Sequence, residues 1–120
     1  MLEKKFDIVI CGAGMIGMTF ALLLTKKNLN VCLIDKNKES DLKGKHDTRT
    51  TAVSQGSSRI LNEVGIWSML KKNAQQINKI IVSEGESADL RFDHKNLTEG
   101  PLGFIIENKD FKKILIEKVK

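Results

Sequence analysis

The sequence predicts an α/β protein, and three features of the segment up to Asp35 indicate this class. An apolar run, Phe6 to Cys11, has the composition of a strand buried between two layers of helices. It leads into a glycine-rich turn and then into an apolar stretch with helical spacing, from about Met15 to Lys27. A second short strand, Val31 to Asp35, follows this helix. Two parallel strands joined by a helix form a right-handed βαβ unit, and this is the architecture that we expect.

The first predicted helix carries a stripe of apolar residues that we expect to face the core. Ile16, Phe20, Leu23 and Leu24 recur at helical spacing and define this stripe. Asn28 follows the helix and is typical of a left-handed residue that ends one. The spacing therefore predicts an amphipathic helix that packs on the two strands.

The glycine-rich turn predicts a dinucleotide-binding loop, because its three glycines lie between a strand and a helix. We interpret Gly12 as the residue that permits the tight turn out of the strand. Gly14 would let the backbone approach a diphosphate, and Gly17 would let the helix lie close to the strand. The start of the helix would then face the anion with free N–H groups and a partial positive charge.

Asp35, at the end of the second strand, is the candidate ribose-binding residue. A carboxylate at this position can accept hydrogen bonds from both ribose hydroxyls of an adenosine, and it would repel a 2′-phosphate, which argues against NADP. Lys36 follows directly and belongs to the same candidate cofactor-binding set. The alternative interpretation is an acid at a strand end that faces water.

The rest of the chain predicts further helices and an antiparallel hairpin. Lys36–Lys45 is predicted to be an exposed loop, and the hydroxyl-rich segment His46–Gln55 contains Arg49. From Gln76 onwards the alternating pattern indicates the start of a separate antiparallel sheet. The remaining predicted elements are a helix over Ser57–Val64 ended by Gly65, strands over Ile77–Ser83 and Ala88–Asp93 joined by a turn at Glu84–Glu86, a strand over Gly103–Ile106 and a last helix from about Asn108.

The composition is typical of a globular protein and excludes several classes of function. The net charge is +5, yet no basic stripe alternates with aromatic residues, so we expect no nucleic-acid partner. A weak attraction of the lysines to anionic membrane surfaces stays open. Cys11 and Cys32 fall inside strands predicted to be buried, which favours a reducing compartment over a disulfide or a metal site. With no signal peptide or membrane span in the sequence, we expect a cytoplasmic protein, with peripheral contact to the inner membrane as an option.

Five segments resemble one family in their order and spacing. They are Gly12–Gly17, Asp47–Ser54, Val64–Trp67, Ile81–Ser83 and Gly103–Asn108. Together they resemble the N-terminal part of the flavin-dependent aromatic hydroxylases of ubiquinone biosynthesis, in the wider group that includes p-hydroxybenzoate hydroxylase. The similarity covers essentially the whole chain.

The resemblance implies a monooxygenase that binds FAD, is reduced by NAD(P)H and uses oxygen to hydroxylate a phenolic or polyprenyl-phenol ring. It implies that the three glycines hold the diphosphate, that Asp35 holds the adenosine ribose and that Arg49 lies along the cofactor. From the residues alone, Arg49 is either a surface charge or a fork of donors to a phosphate or ribose. No catalytic residue and no metal ligand is assigned in this chain.

The resemblance also implies a domain division and a missing remainder. Residues 1–75 would begin the FAD-binding domain, residues 76–107 would supply the first strands of the substrate-binding sheet, and residues 108–120 would return to the FAD-binding domain. The later elements of the family are absent from this sequence, so we expect an incomplete βαβ domain that is inactive alone. The remainder would lie in a longer protein or on a companion chain. Two alternatives stay open, an NAD-dependent dehydrogenase domain and a non-catalytic truncated remnant.

Overall fold

A computed structural model describes residues 3–97 and 99–120 and confirms the α/β class. Its helices and strands in chain order are β1 (Ile8–Cys11), α1 (Met15–Thr25), β2 (Val31–Ile34), α2 (Glu39–Leu42), β3 (Thr50–Ser54), α3 (Gln55–Glu63), α4 (Trp67–Leu70), a 3₁₀ turn (Lys71–Asn73), β4 (Gln75–Ile77), β5 (Lys79–Val82), β6 (Leu90–Asp93), α5 (His94–Leu97), β7 (Gly103–Glu107) and α6 (Asn108–Val119).

The predicted parallel βαβ unit is confirmed. Strands β1 and β2 pair in parallel, with Ile8 opposite Val31 and Cys11 opposite Ile34. The N–H of Gly12 extends this pairing by donating to the carbonyl oxygen of Ile34 at 2.7 Å. Helix α1 connects the two strands and ends as predicted near Asn28, whose φ of 59° is left-handed. The carboxyl ends of both strands therefore lie at one edge of the sheet.

A second, antiparallel sheet has the strand order β3-β7-β4. The sequence does not predict β3, because the hydroxyl-rich segment around Arg49 has no clear alternation. Strand β3 forms because it pairs along its whole length with β7, from Thr50 opposite Glu107 to Ser54 opposite Gly103. Strand propensity depends on such partners, and the partner lies far away in the sequence.

The strand predicted over Ile77–Ser83 is wrong as a single element. It is divided at Asn78 into β4, which pairs with β7, and β5, which pairs with β6. The predicted hairpin itself is confirmed, since Lys79 lies opposite Asp93 and Val82 opposite Leu90. The division into residues 1–75, 76–107 and 108–120 stays a prediction.

Helix α6 holds the two sheets together. Phe111, Leu115 and Ile116 on this helix are buried, and Leu115 is 0% exposed. They belong to one core cluster with Met18 of α1 and with residues of α3, α4 and β7. The core therefore lies around α6, between the βαβ unit and the β3-β7-β4 sheet.

The predicted core face of α1 is wrong at two of its four positions. Ile16 is 87% exposed and Phe20 is 50% exposed, whereas Met18 and Ala21 are buried. Leu23 is partly buried. Helix α1 is apolar on nearly every side, so its periodicity does not identify one buried face. Packing against α6 selects the side that carries Met18.

The cysteines are less buried than predicted. Cys11 is exposed and Cys32 is half-buried, and both are free thiols. The reason is that β1 and β2 form a sheet of only two strands, on which Val9 is 56% exposed and Ile34 is 48% exposed. None of the helices in the described ranges has the length and apolar character that a membrane crossing requires.

Candidate functional site

The turn between β1 and α1 has the backbone geometry of an anion-binding loop. Gly12 has a φ of +112°, which side chains of L-residues rarely allow. Gly14 precedes the helix in an extended conformation and, having no side chain, cannot itself cap the N–H groups of the first turn. The first intrahelical hydrogen bond joins the N–H of Met18 to the carbonyl oxygen of Gly14. The N–H groups of the first helical turn thus lack intrahelical acceptors, which makes the helix start suited to an anion.

The glycines at positions 14 and 17 have opposite surroundings. A Cβ atom at Gly17 would overlap the carbonyl oxygen of Gly12, so the helix can approach the loop this closely only with glycine there. Among the residues that the structure describes, a Cβ atom at Gly14 would meet nothing within 4 Å. Gly17 is therefore required by packing inside the protein, whereas the space above Gly14 is open.

Asp35 is tied to the glycine loop. One carboxylate oxygen accepts the N–H of Ala13 at 2.8 Å. The other accepts the backbone N–H of Asn37 at 2.8 Å and its side-chain amide at 3.0 Å. These hydrogen bonds, that of the Asn37 backbone first and that of Ala13 second, hold the pKa of Asp35 below its ordinary value. Asp35 is an exposed residue, and its oxygens keep further lone pairs that can accept hydroxyl groups.

An open pocket of about 420 Å³ lies at the carboxyl ends of β1 and β2. Ligands of open α/β sheets bind at this edge. Gly12, which follows β1, and Asp35 and Lys36, which follow β2, contribute to its wall. The pocket is lined by Cys11, Gly12, Ile34, Asp35, Lys36 and Asn37.

Arg49 lines a different pocket, where its guanidinium is paired with Asp47. Its Nε and Nη2 donate to the two carboxylate oxygens of Asp47 at 2.9 and 3.0 Å. Nζ of Lys112 donates to the same carboxylate at 2.6 Å. Arg49 first and Lys112 second hold the pKa of Asp47 far below its ordinary value, and Asp47 in turn raises the pKa of Arg49.

An apolar groove of about 410 Å³ runs between α1, β3 and α3. Its exposed apolar side chains include Ile16, Phe20 and Ile60. The groove is lined by Met15, Ile16, Thr19, Phe20, Leu23, Thr51, Ala52, Val53, Ser57, Ile60, Leu61 and Phe111. It begins beside the start of α1 and borders the strand that follows Arg49.

The structure brings together most, but not all, of the candidate residues. The three glycines, Asp35 and Lys36 share the edge formed by β1, β2 and the start of α1, and Arg49 lies in the cluster with Asp47 and Lys112. No sequence pattern indicates Asn37, Asp47 or Lys112 as residues of the site. Asp47 stands two residues before Arg49, a spacing that could have suggested a pair. Lys112 is 65 positions from Asp47, so nothing local indicated it.

The stability of the fold should decrease in acid. The pKa values of Asp35 and Asp47 are lowered in the folded chain relative to their ordinary value of 3.8. Their contribution is therefore complete above that value and is lost as the pH falls through it towards the lower pKa of the folded state. We expect the free energy of unfolding, measured by urea denaturation, to fall between about pH 5 and pH 2. An Asp47→Asn variant should show a flatter profile, and parallel profiles for variant and parent would contradict this assignment.

Comparison with known proteins places the chain among flavoproteins. The FAD binding domain family matches residues 5–120. The ubiquinone hydroxylase UbiL of Rhodospirillum rubrum is 29% identical over 118 residues, which cover 98% of this chain and 28% of that protein. The 3-demethoxyubiquinol 3-hydroxylase of Escherichia coli is 27% identical over 111 residues, 90% of this chain and 28% of that enzyme.

Solved structures show the same fold. The p-nitrophenol 4-monooxygenase PnpA of Pseudomonas putida superimposes with a TM-score of 0.74 at 17% identity, over 98% of this chain and 30% of that one. The flavin-dependent monooxygenase PieE, solved with FAD and substrate, gives a TM-score of 0.67 at 17% identity, over 95% of this chain and 22% of that one. The chain thus spans less than a third of the length of these relatives. By the match that covers nearly all of its residues, it belongs to the FAD binding domain family.

Proposed function

We propose that this chain is the N-terminal FAD-binding portion of a flavin-dependent aromatic-ring monooxygenase. The complete enzyme would hydroxylate a ubiquinone precursor, a phenolic or polyprenyl-phenol compound, with NAD(P)H as reductant and oxygen as co-substrate. The observation that carries the proposal is the glycine loop, which aims the start of α1 at an open space beside a tethered carboxylate. The curated relatives support the ring substrate, since their names refer to ubiquinone hydroxylation.

The residues present fit the adenosine diphosphate part of FAD. The open space at Gly14 and the N–H groups of the first turn of α1 suit a diphosphate. Asp35, held by Ala13 and Asn37, would accept the ribose hydroxyls, and Lys36 at the pocket wall adds positive charge. Arg49 would donate to another part of the extended cofactor from its cluster with Asp47 and Lys112. FAD would supply the redox chemistry, and this part of the protein binds and orients it.

An NAD-dependent dehydrogenase domain is the competing function, because Asp35 suits NAD as well. Such a domain continues with alternating helices and parallel strands after the first βαβ unit. Here the chain instead enters the antiparallel β3-β7-β4 sheet and the β5-β6 hairpin. This topology favours the monooxygenase. As part of a larger enzyme, the chain is expected to act in the cytoplasm, with peripheral membrane contact as an option for a polyprenyl substrate.

Calorimetric titration of the purified chain with FAD, NAD and ADP tests the proposal. We expect FAD to bind more tightly than NAD, and ADP to compete with FAD because the two share the adenosine diphosphate. Adenosine 2′,5′-diphosphate should compete more poorly than AMP, from which it differs only by the 2′-phosphate that Asp35 would repel. A clear preference for NAD would instead support the dehydrogenase.

Two controls distinguish the third alternative, a non-catalytic remnant, from the proposed FAD-binding function. Thermal unfolding of the same sample shows whether the chain is folded during the titration. A cooperative transition without binding of any of the nucleotides would support the remnant.

The second control is an activity assay of the chain alone, mixed with NAD(P)H, FAD and a phenol. We expect no hydroxylated product. Turnover of the phenol would contradict the expectation that the chain is inactive by itself.

A further inference from the structure

Asp47 is a nearly buried carboxylate that is surrounded by donors. Its side chain is 8% exposed, whereas that of its partner Arg49 is 75% exposed. It accepts the backbone N–H of Arg49 at 3.1 Å in addition to Nε and Nη2. The fourth donor is Lys112 of α6, whose side chain is 21% exposed. This carboxylate therefore fixes both the backbone and the guanidinium of Arg49.

The same contacts determine which edge of Arg49 faces outwards. A guanidinium has five N–H donors, and the Nε edge of Arg49 is turned towards Asp47. The contacts with Asp47 use Nε and Nη2, so the N–H groups of Nη1 stand outside this pair, on a side chain that is 75% exposed. The carbonyl oxygen of Arg49 also accepts the N–H of Asn108, at the start of α6, at 3.0 Å. The arginine is thus held at its base and along one edge before any ligand arrives.

We propose that Asp47 is a positioning residue that presents the free edge of Arg49 to the diphosphate or ribose of the bound cofactor. This inference rests on the proposed function, because it requires Arg49 to contact FAD. Holding an exposed arginine in place removes part of the conformational entropy that it would otherwise lose on binding. An arginine that is clamped on one edge can still form two parallel hydrogen bonds with an anion on the other.

A double-mutant cycle on FAD affinity tests the positioning role. We expect Arg49→Gln to weaken FAD binding roughly tenfold or more, because it removes charge-assisted hydrogen bonds. Asp47→Asn should weaken it roughly three- to tenfold by releasing Arg49. In the Arg49→Gln background, Asp47→Asn should cause no further loss. An equal loss in both backgrounds, or no loss in either, would overturn the inference.

Two further variants keep the result interpretable if Asp47→Asn does not fold. Arg49→Lys changes an exposed side chain, keeps the charge and cannot form the two-point contact with Asp47, so it should bind FAD nearly as weakly as Arg49→Gln. Lys112→Met removes the other partner of Asp47 and should leave FAD affinity within about twofold of the parent. Parent-like affinity of Arg49→Lys would contradict the positioning role, because lysine cannot be oriented by a two-point contact. A loss in Lys112→Met equal to that in Asp47→Asn would also contradict it, because the effect of Asp47 would then not depend on its contact with Arg49.

Failure of the proposed function gives a different pattern. If the parent chain does not bind FAD, or if Arg49→Gln binds it as tightly as the parent, the contact between Arg49 and the cofactor is absent. If Arg49→Gln weakens binding but Asp47→Asn does not, Arg49 contacts FAD and only the positioning role of Asp47 is wrong.

Discussion

Replacing Gly14 by alanine should leave the chain folded and sharply reduce its affinity for FAD. The space around a Cβ atom at this position is open, and the φ of −75° and ψ of −177° at Gly14 are accessible to alanine. The loss of stability should stay at or below about 1 kcal/mol, as for other changes at a helix N-cap. In the proposed complex, the added methyl group would occupy the place of the diphosphate. We expect a loss of affinity of roughly ten- to a hundredfold, the equivalent of moderate overpacking.

Gly17 provides the matched comparison on the same loop. A Cβ atom there would overlap the backbone of Gly12, which cannot move without shifting β1 or α1. Gly17→Ala should therefore destabilise the fold by about 1–3 kcal/mol or more. Urea denaturation and FAD titration of both variants separate the two effects. If Gly14→Ala unfolds as readily as Gly17→Ala, or binds FAD like the parent, the assignment of the open space above Gly14 to the diphosphate is wrong.

Replacing Leu115 by alanine should have the largest effect on stability. Leu115 is 0% exposed in the centre of α6, within the cluster that joins the βαβ unit to the β3-β7-β4 sheet. Truncation of a fully buried leucine costs about 2–5 kcal/mol, because apolar burial is lost and a cavity is left. Small domains have a total free energy of unfolding of only about 5–15 kcal/mol, so Leu115→Ala should remove a large part of it.

Val119 supplies the control for Leu115 on the same helix. It is 36% exposed, so Val119→Ala removes less buried surface than Leu115→Ala and should lower the free energy of unfolding by less. Both variants can be compared by urea denaturation of the purified chains. Equal shifts of the denaturation midpoint would show that α6 does not form the centre of the core.

The predictability of the site follows from how local each contact is. Gly12, Gly17 and Asp35 were identified from spacing, because the turn, the helix start and the strand end are consecutive in the chain. Asn37 is also local, yet its hydrogen bonds to Asp35 depend on a turn conformation that the polar loop does not reveal. The contact between Lys112 and Asp47 could not be predicted, because a lysine on a helix surface has no sequence feature that names its partner.

By itself, the sequence determined the parallel βαβ unit, the glycine loop at its edge and the resemblance to flavin-dependent hydroxylases. These features arise from short-range spacing, where hydrogen bonding and side-chain periodicity act within a few residues. Only the tertiary structure decided that Thr50–Ser54 is a strand, that α1 buries Met18 rather than Ile16, and that Lys112 binds Asp47. Each of these depends on β7 or α6, which lie more than forty residues further along the chain. Long-range pairing and packing select among conformations that the local sequence leaves nearly equal in free energy.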